Sequence, residues 1–237
     1  MSRLLSVALL PALVLLSYIY RLDTIEKEPW RLLLRLFLFG CLCALPTSLL
    51  EWAGARAIAR VRDPLSYMLL NAFAVVAVAE EGCKYAALST TWQNPSFDYR
   101  YDAIVYAVCV SLGFGALENV LYVMRYGFAT GIFRAFTSVP GHCFFGVYMG
   151  YWFGNAKYAS YYSLGSAGWQ KFLAFIVPVI LHGFYDFCCF MSGNLLFVLL
   201  FYGFLIVFFI AAIRCVRKAS ACDVPVRSHT MDEKGFL

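Results

Sequence analysis

Long apolar stretches alternate with short polar connections along the whole chain. A hydrocarbon core about 30 Å thick takes roughly 20 apolar helical residues to cross. By that measure seven segments are predicted to span a membrane: Leu4–Tyr20, Trp30–Leu50, Leu65–Thr91, Asp102–Met124, Ala135–Gly154, Gln170–Met191 and Leu195–Ile213. The connections carry turn formers, as in Gln93-Asn94-Pro95-Ser96 and Ser163-Leu164-Gly165-Ser166. The first segment follows Arg3 as a secretory signal would. It runs on as Leu16-Ser17-Tyr18-Ile19-Tyr20-Arg21 without a small-residue cleavage site, so it reads as a span. The expected fold is all-α, a polytopic membrane bundle of about seven transmembrane helices forming one integral domain over residues 1–237. No internal repeat is evident, which leaves a two-fold transporter architecture without support.

Composition agrees: 62% of residues are hydrophobic and 14% charged, with a mean hydropathy of +0.72, far from a soluble profile. A net charge of +5 would suggest nucleic acid in a soluble protein. Here Lys and Arg sit in connections and tail, and no Gly-rich phosphate loop or basic-aromatic module accompanies them, so no nucleic-acid partner is expected. They orient the chain instead. Arg21, Lys27, Arg31, Arg35, Arg100, Lys157, Lys171, Arg214, Arg217 and Lys218 fall on one side. Arg3, Arg56, Arg60, Arg62, Arg125 and Arg134 fall on the other. The richer side is expected in the cytoplasm, with the basic tail at 214–237, and the N-terminus outside. Of the nine cysteines, Cys41, Cys43, Cys83, Cys109, Cys143, Cys188 and Cys189 lie in apolar segments and read as small hydrophobes. Cys215 and Cys222 flank the last span, where lipidation is the functional reading.

Ionisable groups inside apolar segments change the picture. A charge at the bilayer centre is costly, so such residues persist mainly where they line a cavity and act. Glu80, Glu81, Glu118, His142, His182 and Asp186 lie on four separate segments. Adjacent helix positions point about 100° apart, so Glu80 and Glu81 do not face one point equally. One is expected to face a cavity while Lys84, one turn on, holds the other. His182 and Asp186 share a face at i and i+4, where the carboxylate can fix the imidazole tautomer. Counted at 1.5 Å per residue, Glu118, His142 and His182 come to similar depths, and Glu80 joins them if its long segment protrudes outward. The bland alternatives are a buried Glu–Lys pair, an interhelical hydrogen bond from Glu118 and a merely satisfied His142.

At this point the residues resemble a known family. Glu80-Glu81-Gly82-Cys83-Lys84 is similar to the EExxK motif of the PrsW intramembrane proteases. Phe114-Gly115-Ala116-Leu117-Glu118-Asn119 is similar to its FxxxEN, His142-Cys143-Phe144-Phe145-Gly146 to its HxxxG, and His182-Gly183-Phe184-Tyr185-Asp186 to its HxxxD. All four occur in order within a core of about 65–191. The more distant CAAX-prenyl endopeptidases and bacteriocin-immunity proteins carry EExxxR, FxxxH and HxxxN instead, and Lys84, Glu118 and Asp186 side with PrsW. The resemblance implies a membrane-embedded protease that cleaves a single-pass transmembrane protein near its outer face, typically an anti-sigma factor. It implies catalytic roles for Glu80, Glu81, Glu118, His142, His182 and Asp186, with Lys84 and Asn119 in support.

Two mechanisms stay open. In one, Glu80 or Glu81 activates a water that Glu118 or His142 helps hold, and His182, oriented by Asp186, donates toward the oxyanion. In the other, zinc on Glu81, Glu118, His142 and His182 activates it. The lack of HExxH speaks against zinc, and the cofactor-free route is favoured. A proton-coupled transporter and a non-catalytic, immunity-type binding protein are the competing function classes.

Overall fold

The computed structural model describes residues 2–227. Helices α1 (Ser2–Leu22) and α2 (Trp30–Ile58) are joined by a polar turn at 23–29. Helix α3 (Pro64–Leu70) starts where the Asp63 side chain accepts the Ser66 N–H at 2.8 Å, with Pro64 at the first helical position. It runs through a π-helical stretch, Asn71–Ala77, straight into α4 (Val78–Ser89). There follow α5 (Asp102–Tyr126), α6 (Phe128–Phe136), α7 (Ser138–Tyr161), α8 (Ala167–Phe190) and α9 (Leu195–Ala221). No strand occurs among the described residues; one isolated bridge pairs Tyr99 with Pro225.

Among the described residues, six stretches are long and apolar enough to cross a membrane: Arg3–Leu22, Trp30–Ile58, Pro64–Ser89, Asp102–Tyr126, Ala167–Phe190 and Leu195–Ala221. Helix α7, 24 residues long, reaches about 36 Å, enough to cross. It carries Ser138, His142, Asn155 and Lys157 and is less apolar because it is packed inside the protein against α5 and α8. The expected segment Ala135–Gly154 is divided. Ala135 and Phe136 end α6, and the chain turns at Thr137 before α7. Gly127, at φ 85°, makes the sharp corner between α5 and α6 that a side chain would resist.

Helix α5 is the axle of the bundle. Every residue from Tyr101 to Ala116 is buried, against α1, α2 and α7. A Cβ on Gly40 would run into the Val110 carbonyl, and one on Gly113 into that of Phe37. α2 and α5 thus touch backbone to backbone, as small residues permit inside membranes. Helix α9 lies outside and shows Leu195, Leu199, Ile206 and Val207 outward, consistent with its mean hydropathy of 2.9. All nine cysteines are free. Of the tail expected at 214–237, Arg214, Arg217 and Lys218 extend α9. The next residues return along the start of α5, with Arg100 N–H to Val224 O at 3.1 Å and Val226 N–H to Asp98 O at 2.7 Å. Residues 228–237 lie outside the described part.

Candidate active site

The π-helical stretch sits directly before Glu80 and Glu81. Such widened turns rotate the residues beyond them relative to a regular helix and recur at functional sites. Beyond it Lys84 is fully buried, and its ammonium uses all three of its N–H donors. Lys84 Nζ donates to Glu80 Oε2 at 2.9 Å, to Glu81 Oε1 at 2.9 Å and to His142 Nδ1 at 3.2 Å. Lysine holds both carboxylates rather than one, and the two acids still divide their work. Glu81 is sealed from solvent, whereas Glu80 lines the cavity described below.

An ammonium only donates, so His142 Nδ1 is the acceptor and its proton sits on Nε2. That Nε2–H reaches Glu118 Oε2 at 2.9 Å. His142 fits there because Gly115 on α5 leaves its place empty: a Cβ at Gly115 would meet His142 Cδ2 at 2.8 Å. Glu118 Oε2 also accepts from Arg134 Nη2 at 2.6 Å, and Arg134 Nε donates to Asn119 Oδ1 at 3.1 Å. Asn119 in turn donates to Ala8 O at 3.0 Å, tying the site to α1.

On the opposite wall His182 lies with Nδ1 2.8 Å from Glu81 Oε1. Its Nε2 is 3.5 Å from Asp186 Oδ2 and 3.9 Å from Glu80 Oε2, beyond direct hydrogen bonding. The carboxylate that orients His182 is therefore Glu81, and Asp186 takes the cavity side of the ring. The Phe145 ring stacks on His182 at 4.9 Å, and the two imidazoles meet edge to face at 5.6 Å. All six expected acids and imidazoles, with Lys84 and Asn119, are thus brought together.

A cavity of about 180 Å³ is lined by Glu80, Glu118, Arg134, His142, His182 and Asp186 among others. It adjoins a second of about 370 Å³ between α2 and the C-terminal half of α5. Glu51, Glu80, Glu118 and Tyr122 line both. Sequence reasoning missed Glu51 and Arg134. Glu51 falls one residue beyond the expected span Trp30–Leu50, whereas α2 runs on to Ile58 and carries it inside the helix. Arg134 read as a connection charge, and only the short helix α6 turns it inward.

The donor sets bear on a metal. Glu80, Glu81 and His142 each offer a ligand atom within 4.8 Å of the others. Lys84 Nζ already sits within 3.2 Å of an atom of each. A divalent ion there would have to displace a buried ammonium. The expected set of Glu81, Glu118, His142 and His182 is not gathered around one point. Glu81 Oε1 is shared by Lys84 and His182, and Glu118 Oε2 by Arg134 and His142. These residues, as arranged, do not fit a resident metal.

Residues 28–213 match the family model described as "PrsW family intramembrane metalloprotease". Among curated relatives, a protease named PrsW from Oceanobacillus iheyensis is 34% identical over 93% of this chain and 97% of its own. One of that name from Geobacillus kaustophilus is 38% identical over 78% of this chain and 79% of its own. Another, from Bacillus subtilis, is 29% identical over 94% and 99%. No solved structure matches.

Proposed function

Because the chain belongs to the PrsW family and is a membrane-embedded peptide hydrolase, we propose that it cleaves single-pass transmembrane proteins, anti-sigma factors among them, near the outer face of the membrane. Glu80 is the base. The observation that carries this reading is the position of Glu80: one oxygen is fixed by Lys84 while the side chain faces both cavities. Glu81, buried behind it, positions His182. The carrier and immunity-type readings give way to the family's peptidase activity.

The reaction needs a water between Glu80 and the scissile carbonyl. Glu80 takes one proton from it as the oxygen bonds to the carbonyl carbon. The negative charge that develops on the carbonyl oxygen meets the N–H donors facing the cavity, Arg134 and His182. Glu80 then returns the proton to the departing amine as the C–N bond breaks. Since Lys84 and Arg134 hold the donor atoms a metal would need, this route uses none, in contrast to the family's description. The basic residues favour an outward N-terminus and cytoplasmic C-terminus. With that orientation the site lies in the outer half, near the α5–α6 corner.

Co-expression with a candidate single-pass substrate tests the proposal. Glu80→Ala, Glu81→Ala and His182→Ala are expected to abolish processing. Unchanged processing in all three variants would sink the protease reading for these residues.

A further inference from the structure

At the opposite end of α5 a second group of acids is buried. Asp23 and Glu28 come from the α1–α2 turn and Asp102 from the start of α5. Each offers a carboxylate oxygen, and the three oxygens lie within 4.8 Å of one another. All three residues are buried, with Asp23 2% exposed. Asp23 Oδ2 is buried without a hydrogen-bond partner. The neighbouring ammonium, Lys27 Nζ, is spent on main-chain carbonyls, those of Tyr20 and Asp23. The other two carboxylates are held from behind. Asp102 Oδ2 accepts the N–H groups of Asp98 and Tyr99 at 3.0 and 2.7 Å, and Glu28 accepts from the Tyr106 hydroxyl. Fixing a carboxylate by outer hydrogen bonds while an oxygen stays turned inward is the pattern of a ligand oriented by its surroundings.

We propose that Asp23, Glu28 and Asp102 form a site for a hard divalent cation, Mg²⁺ or Ca²⁺, separate from the proteolytic centre. The donors are all oxygen, which selects these ions over zinc or copper. Three buried acids with no cation on their carboxylates among the described residues are costly, and a divalent ion supplies charge at the point where three oxygens converge. Its role is structural. The ion clamps the α1–α2 turn to the start of α5. The same stretch of chain, Asp98–Tyr101, holds the returning tail through Val226 N–H to Asp98 O and Tyr101 N–H to Asp223 Oδ1 at 2.9 Å.

The test uses the full-length protein in detergent, stripped with chelator and desalted. Thermal unfolding is followed against Mg²⁺ and, separately, Ca²⁺, with Tb³⁺ luminescence sensitised by Tyr106 as a direct binding probe. One of the two ions is expected to raise the unfolding temperature saturably by several degrees. Asp23→Asn should weaken that ion at least about tenfold, and this variant disturbs no hydrogen bond at Oδ2. Glu28→Gln should do the same, while His182→Ala keeps the response, so the result stands apart from the fate of the protease mechanism. The site is overturned if neither ion shifts unfolding, or if Asp23→Asn and Glu28→Gln respond as wild type. It is equally overturned if both variants unfold at higher temperature than stripped wild type and ignore the ions, which identifies a shared proton as the occupant.

Discussion

Glu80 and Glu81 are buried and Glu118 half-buried, with Lys84 and Arg134 among them, whereas Asp23, Glu28 and Asp102 are buried with no Lys or Arg side chain on their carboxylates among the described residues. Asp102 and Glu118 are about 24 Å apart along α5, so one helix serves both clusters. In the first, cations built into the chain fix which oxygens are engaged and leave Glu80 turned to the cavity. In the second, burial pushes the Asp23 carboxyl up to about 6, with Lys27 pulling the other way, and the Glu28 carboxyl up to about 7. Acids with a resident counter-charge can stay ionised and do chemistry in a fixed pose. Acids without one depend on what the solution supplies.

The largest effect expected from breaking this contrast is on catalysis. Glu80→Gln keeps the shape and Lys84 contact but removes the base, and cleavage should fall by about 10²- to 10⁴-fold. Circular dichroism of the variant should stay as helical as wild type. Next comes Lys84→Met, which strips the cation from Glu80 and leaves Glu81 only its contact with His182, and should cost about 3–5 kcal/mol in denaturant unfolding. Adding Glu81→Gln to it should cost less than the two single changes summed, because each removes the same contact. Arg134→Ala deletes a charged hydrogen bond to Glu118, an interaction of about 1.5–3 kcal/mol. Cleavage is expected to drop about tenfold or more, with Arg134→Lys recovering part. Smallest is Asp23→Asn in stripped protein: unfolding within about 1 kcal/mol of wild type and cleavage unchanged, since Asp23 Oδ2 has no hydrogen bond to lose.

The fold was largely legible because lipid imposes a simple rule, long apolar helices. That rule met α7 as an expected span but misplaced its ends: Ala135–Gly154 runs across the turn at Thr137, where α6 and α7 divide one apolar run, and α7 continues to Tyr161. The site was legible as spacing: Glu80, Glu81, Lys84, Glu118, His142, His182 and Asp186 stood out as ionisable groups in apolar surroundings. Their pairing was not. That Lys84 reaches His142 on α7, and that Glu81 rather than Asp186 orients His182, depends on the π-helical stretch and the α5–α7 approach at Gly115. Glu28 lies in the connection before the expected span Trp30–Leu50 and Asp102 opens the expected span Asp102–Met124; only the fold joins them.

The central claim is that Glu80, with Lys84 as its built-in cation, activates the attacking water. Cleavage of a fluorogenic single-pass substrate in liposomes, by wild type and Glu80→Gln, each before and after chelator treatment, tests it most directly. The account predicts that chelated wild type keeps its cleavage rate and that Glu80→Gln loses at least about 100-fold in either condition. A Glu80→Gln rate equal to wild type, or wild-type activity lost to chelator and restored by zinc, would contradict it.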